Sequence, residues 1–218
     1  INVNIMNTIS TIELAIAMGA KKYFCVSTDK AANPVNLMGA SKRIMELFLT
    51  SYSKDINIST ARFANVVFSD GSLLHGFNQR VLKQQPIVAP SDIKRYFVTP
   101  KEAGELCLLS CMLGRDGEIF FPKLTESMDL KSFSDLAALY LNSIGYEVHD
   151  CSSEDDARKN IDEIISLGRW PCLFTVSDTT GEKPFEEFYT DAEAPDFQSF
   201  LGVGLVKSFS DGDQKKLD

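Results

Sequence analysis

The stretch from Lys21 to Tyr52, KKYFCVSTDKAANPVNLMGASKRIMELFLTSY, decides how the chain is read. Tyr23 to Val26 is a short aromatic and β-branched run, the signature of a buried strand. Ser27 to Asn33 is polar and is closed by Pro34, so the strand opens into a loop. From Met38 to Tyr52 the apolar residues recur at helical spacing. A strand, a polar loop at its carboxyl end and an amphipathic helix make up the repeating unit of an α/β sheet.

Working outward, the pattern repeats. Upstream, Val3, Met6, Ile9, Ile12 and Ile16 predict a helix that stops at Gly19. Downstream, Ile58 to Phe63 predicts a strand, Leu73 to Gln84 a helix, Ile87 to Ala89 a short extended piece and Lys101 to Leu113 a helix begun by Pro100. Glu118 to Phe121 reads as a strand, Ser132 to Ile144 as a helix ended by Gly145, and Tyr146 to His149 as a strand. Glu154 to Ile165 reads as one acidic-headed helix and Trp170 to Val176 as a strand. Helices alternating with apolar strands predict a parallel sheet. The expected organisation is a nucleotide-type layer over 1–66, a mixed α/β region over 67–209 and a flexible tail over 210–218.

Composition narrows the function. The chain has 218 residues, 30 of them Asp or Glu and 22 Lys or Arg, a formal net charge of −8. Nucleic-acid binding calls for a basic face, and the sequence offers none. No apolar run is long enough to cross a membrane. Five widely spaced cysteines do not form a secreted disulfide framework and point to a reducing, cytoplasmic setting. Cys107 and Cys111 share a helix face, but no further Cys or His stands near them, and core packing is the expected role. His75 and His149 have no metal-type spacing.

Chemistry concentrates in Ser27-Thr28-Asp29-Lys30-Ala31-Ala32-Asn33-Pro34 and in Met38-Gly39-Ala40-Ser41-Lys42. The first run starts where a parallel strand ends, the place where open α/β sheets bind ligands. A hydroxyl, a carboxyl and an amine stand in three successive positions. On composition alone a polar turn with a surface ion pair is the favoured reading.

These two runs resemble the active-site region of the extended short-chain dehydrogenase/reductase family, and within it the UDP-N-acetylglucosamine 4,6-dehydratases of polysaccharide and legionaminic-acid biosynthesis. The resemblance covers nearly the whole chain. It implies the C-terminal part of a Rossmann-like parallel-sheet domain with a smaller mixed α/β substrate-binding part. It also implies NAD as cofactor, with NADP the less favoured choice, and a UDP-sugar as substrate. The reaction implied removes hydride from C4, loses water across C5–C6 and returns hydride to C6. Homo-oligomers are common in that family, through helices like the one from Met38 to Tyr52.

The resemblance assigns roles residue by residue. Lys42 takes the place of the family lysine, which orients the nicotinamide ribose. Thr28 takes the Ser/Thr position. Asn4 matches the asparagine of the preceding helix. The usual Tyr position holds Met38, which can neither hold nor lose a proton. Members of the resembled subfamily share that departure, and the base for the 4-hydroxyl is then Asp29 or a water held by Thr28. Asp29 is the implied acid at the C6 hydroxyl and Lys30 the implied base at C5. Ser27 and Ala64 are expected at the cofactor, Asn65 and Arg95 at the substrate. Arg62 stands at the same strand end as Ala64; Phe77 and Gln79 are candidates for lining the nucleotide pocket, with core and surface roles explaining them as well, and the turn Ser177–Lys183 is either a cover for the sugar or a solvated loop.

No Gly-rich strand–turn–helix fingerprint occurs in the sequence; Gly202-Val203-Gly204 follows no βαβ start. The expectation is a chain that is N-terminally incomplete relative to the family. Two other readings remain: a nucleotide-sugar 4-epimerase on the same fold, and an inactive fragment or remnant without the cofactor loop.

Overall fold

A computed structural model describes residues 1–123, 130–178 and 186–207. The expected tail at 210–218 and residues 179–183 of the turn at 177–183 lie outside the described residues. In chain order the elements are α1 (Asn7–Ala17), β1 (Lys22–Thr28), α2 (Leu37–Ser51), β2 (Asn57–Phe63), β3 (Asn65–Val66), α3 (Leu73–Leu82) and β4 (Ile87–Pro90). Then follow β5 (Lys94–Arg95), β6 (Phe97–Val98), α4 (Pro100–Leu113), β7 (Glu118–Pro122), β8 (Lys131–Ser132) and α5 (Phe133–Ser143). The last are β9 (Glu147–Asp150), α6 (Glu154–Arg158), α7 (Ile161–Ser166), β10 (Arg169–Thr175) and β11 (Val203–Lys207). A π-helical turn, Asn2–Met6, leads into α1. The fold is α/β, as the alternation of strands and helices predicts, and Rossmann-like, as the family resemblance implies.

The chain divides into two compact units. Ile1–Ala64, Lys101–Thr125 and Glu186–Asp218 form the first; Asn65–Pro100 and Glu126–Phe185 form the second. The sequence reading has one crossing, near residue 66. The structure has the chain leave the first unit after Ala64 and return to it twice, because β7 pairs with β2 and β11 pairs with β7.

The first unit holds a four-stranded sheet in the order β1-β2-β7-β11. The first three strands are parallel, with Val26 opposite Ala61 and Ala61 opposite Phe120; β11 runs antiparallel to β7. Alternation along β2 sorts the two faces. Ile58 packs with Ile12 of α1 and with Met45 and Leu49 of α2, whereas Ala61 and Phe63 pack with Leu106 of α4. Ser59 and Ser110 tie β2 to α4 reciprocally, each hydroxyl donating to a backbone carbonyl at 2.8 Å.

The second unit is built on the parallel sheet β4-β10-β9. Ile87, Ala89, Trp170 and Cys172 meet Leu74 and Phe77 of α3 and Ala137 and Leu141 of α5 in one buried cluster. Phe77 is thus a core residue of this unit. Trp170 satisfies its indole N–H on the Gln85 carbonyl at 3.0 Å. The expected single helix over Glu154–Ile165 is two helices, because Asn160 takes a left-handed conformation, φ 59°, and breaks the ladder.

Candidate functional site

Thr28 ends β1 in extended conformation and caps a single 3-10 turn, Asp29–Ala31. Its Oγ1 donates to Asp29 Oδ1 at 2.8 Å. Lys30 Nζ donates to Oδ1 at 3.1 Å and to Oδ2 at 3.4 Å. Asp29 is buried, whereas the Lys30 side chain keeps 33% of its surface. The turn therefore presents a hydroxyl, a carboxyl and an amine in mutual contact, and the last two can each hold and release a proton.

The next helix is brought close for two reasons. Asn36 caps α2, its Oδ1 accepting from the Gly39 N–H at 2.9 Å. Gly39 then passes so near the turn that a Cβ there would sit 2.4 Å from the Lys30 carbonyl oxygen. Only glycine allows this approach.

The first turns of α2 carry three expected residues. Met38 is half-exposed. Ser41 donates to the Met38 carbonyl at 2.8 Å and accepts from Asn4 Nδ2 at 2.9 Å, so Asn4 is fixed to this helix from the N-terminal segment. Lys42, one turn after Met38, donates to the Val26 carbonyl at 3.0 Å. Thr28, Asp29, Lys30, Met38, Lys42, Asn4, Ser27 and Ala64 all belong to the first unit. Ala64 is buried just beyond β2. Asn65 and Arg95 belong to the second unit. There, Asn65 Nδ2 donates to the Tyr96 carbonyl at 3.4 Å, and buried Arg95 donates to the Lys94 carbonyl at 2.7 Å.

Ser27 has its hydroxyl committed elsewhere. It donates to Glu46 Oε1 at 2.6 Å, and Glu46 belongs to a buried ion cluster. Arg62 spends all five N–H donors inside the protein. Nε and Nη2 grip the Glu46 carboxylate at 2.9 and 2.8 Å. Nη1 and Nη2 grip Glu193 at 2.8 and 2.9 Å, and Nη1 also donates to the Phe188 carbonyl at 2.7 Å. Arg43 donates to both carboxylates, at 3.1 and 3.2 Å. Two guanidiniums thus face two carboxylates, and every charge has its opposite.

Burial alone pulls the Arg62 guanidinium down, but its bonds to Glu46 and Glu193 outweigh this and raise it. Burial alone pushes the Glu193 carboxyl up, and the bonds from Arg62, with its charge, bring it below the ordinary range. Arg62 at the strand end is therefore a structural residue that bonds inward. Glu46, Glu193 and Arg43 were not anticipated from the sequence. The available signal was Arg62 itself, a cation in the apolar run Ile58–Phe63, since a buried arginine requires acidic partners.

Among the described residues no group of His, Cys, Asp or Glu is placed to hold a metal ion. Nor, among them, is any helix long and apolar enough to cross a membrane. Cys107 and Cys111 are both half-buried, free thiols on α4.

A family model described as "Polysaccharide biosynthesis protein" matches residues 1–197. The uncharacterized membrane protein MJ1061 of Methanocaldococcus jannaschii is 30% identical over 213 residues, which is 94% of this chain and 58% of that protein. An inverting UDP-N-acetylglucosamine 4,6-dehydratase of Campylobacter jejuni is 33% identical over 132 residues, 57% of this chain and 39% of that enzyme. UDP-glucose 4-epimerases also match. Among solved structures, Pen of Bacillus thuringiensis superposes with a TM-score of 0.72 at 25% identity, covering 94% of this chain and 58% of Pen. The chain spans little more than half, or less, of the length of the curated relatives it matches.

Proposed function

Since the chain belongs to the polysaccharide biosynthesis protein family, we propose that it carries the proton-transfer machinery of an NAD-dependent enzyme that modifies UDP-sugars, and specifically of a UDP-N-acetylglucosamine 4,6-dehydratase. The observation that supports this reading is the contact among Thr28, Asp29 and Lys30 at the carboxyl end of β1.

Dehydration needs a neutral base at C5 and a protonated acid at the C6 hydroxyl. Moving one proton across the 3.1 Å contact from Lys30 to Asp29 supplies both at once, with no outside donor. Lys30 then takes the C5 proton. Asp29 gives its proton to the departing C6 hydroxyl, which leaves as water while the C5–C6 double bond forms. Lys30 later returns a proton to C5, and the proton lost from the 4-hydroxyl balances the exchange. A water held by Thr28 takes that 4-hydroxyl proton as C4 is oxidised, because Met38 cannot and Asp29 at that stage already carries the proton from Lys30.

The residues present suit the nicotinamide end of NAD: Lys42 stands half-exposed beside Val26, one turn after the half-exposed Met38, with Asn4 bonded to Ser41 between them. Ser27 and Ala64 flank them at the ends of β1 and β2. Bound there, NAD would supply the hydride acceptor for C4 and the hydride donor for C6. Asn65 and Arg95 are proposed as contacts for the UDP-sugar. An acid–base pair beside the turn is superfluous for 4-epimerisation, and this favours the dehydratase over the epimerase.

The test is incubation of the protein, as its gene encodes it, with UDP-N-acetylglucosamine and NAD in deuterated water. The expected product has lost one water and carries deuterium at C5. A product of unchanged mass with inverted C4 identifies an epimerase, and no conversion identifies a remnant. A Lys30→Ala protein that still exchanges the C5 proton removes the role assigned to Lys30.

A further inference from the structure

We propose that Glu46 is a positioning residue for the Thr28–Lys30 turn, acting through the Ser27 hydroxyl and itself held by Arg62. This role rests on the catalytic reading of the turn given above, whereas the hydrogen-bonded geometry stands without it.

Ser27 is the last β1 residue before the cap, and its side chain is turned to α2. Its bond to Glu46 is the shortest in the cluster, 2.6 Å. The acceptor is fixed from three other directions. Glu46 Oε1 also takes Arg62 Nε, and Oε2 takes Arg62 Nη2 and Arg43 Nη1. A carboxylate gripped on both oxygens by a planar fork has little freedom to rotate. Arg62 is equally constrained, since Glu193 and the Phe188 carbonyl occupy its outer edge.

The turn is therefore clamped to α2 at two points. One is Ser27 on Glu46. The other is the Lys30 carbonyl against Gly39, above the Asn36 cap. Between the two clamps lie Thr28 and Asp29, whose relative placement sets the hydroxyl–carboxyl contact. Glu46 touches neither of them. It also lies four residues after Lys42, so the helix that presents Lys42 sets the register of the turn as well.

Ser27→Ala removes one buried hydroxyl and leaves all the ionic bonds of the cluster in place. Ser110→Ala is the control: it removes an equally buried hydroxyl of the same unit, bonded to the Thr60 carbonyl at 2.8 Å and not part of the cluster. Both proteins are compared with the wild type by amide hydrogen exchange. A hydrogen bond to a charged group is lost, so exchange at 28–32 in Ser27→Ala should quicken by about tenfold, with β2 amides unchanged. Ser110→Ala should leave 28–32 at the wild-type rate. Wild-type exchange at 28–32 in Ser27→Ala, or the same uniform acceleration in both variants, overturns the proposal. The second readout is turnover in the encoded protein: kcat should fall by about tenfold in Ser27→Ala with KM for the UDP-sugar unmoved. A fall confined to KM also overturns it. A wild type silent towards UDP-sugars rejects the catalytic reading, and the exchange comparison still decides the clamp.

Discussion

Replacing Gly39 with alanine tests how the turn and α2 are held together. The added Cβ would lie 2.4 Å from the Lys30 carbonyl oxygen, 3.2 Å from its carbon and 3.3 Å from Pro34 Cβ. Real Cβ atoms essentially never come within 3.0 Å of another heavy atom, so something must give by roughly 0.6 Å. The obstacle is backbone, and it cannot swing aside as a side chain can. Over-packing of this kind costs about 1–3 kcal/mol. Alanine's helix preference returns at most about 1 kcal/mol, and less in the first turn of a helix than in its middle. The net expectation is destabilisation by about 1–2 kcal/mol. Gly104, inside α4, is the matched control, because a Cβ there meets nothing within 4 Å. Gly104→Ala should stabilise by about 0.5–1 kcal/mol. Urea unfolding of both variants measures the difference, and opposite signs are expected. Displacing Lys30 should also slow turnover by about a hundredfold, the scale of a misplacement near 1 Å. A Gly39→Ala protein as stable as the wild type would show that the approach of α2 to the turn is not as described.

Other expectations follow from the caps, the ion cluster and the thiols. Asn36→Ala removes the cap on the Gly39 N–H and should cost about 1 kcal/mol in urea unfolding. Glu193 has its folded pKa held below the ordinary 4.5, so its contribution to stability is present above pH 4.5 and is lost as pH falls through the lower, folded value. The melting temperature of Glu193→Gln should therefore lie furthest below that of the wild type at neutral pH. The gap should close as pH drops below 4.5; a gap that stays constant would contradict the pairing with Arg62. Burial pushes the Cys172 thiol up to about 12, so a thiol reagent at pH 8 should label it only after unfolding. Labelling of native protein at the rate seen in urea would contradict its burial.

The sequence exposes the fold where one property dominates locally. Tyr23–Val26 and Ile58–Phe63 are apolar enough to be strands whatever surrounds them, and α2 declares itself through its period, while its Asn36 cap emerges only in the structure. β11 is hidden because Gly204 lies within it. That glycine stands opposite Phe121, whose ring comes within 2.5 Å of where a Cβ would be, so a residue that weakens the strand signal is what the packing demands. The two-residue ladders β3–β6 and β5–β8 depend on partners about 30 or more residues away and leave no local trace. For the site, the Thr28–Asp29–Lys30 contact follows from adjacency in the chain. The ion cluster does not, since Glu46, Arg62 and Glu193 are brought together only by the sheet and the segment after Glu186.

The interleaving of the two units bears on how the protein is made. A ribosome delivers β1 and β2, then the whole of Asn65–Pro100, before the strand that pairs with β2 emerges. β7 in turn must wait for β11, some eighty residues later, with Phe120 and Phe121 on an unpaired edge in the interval. Glu193, the second anion on Arg62, arrives in that same late segment. Until then the nascent first unit holds a guanidinium with only half of its neutralising charge. That later segment thus covers the β7 edge and completes the charge balance of the interior together. Pausing or premature release between residues 123 and 186 would expose both defects to the cell's chaperones and proteases.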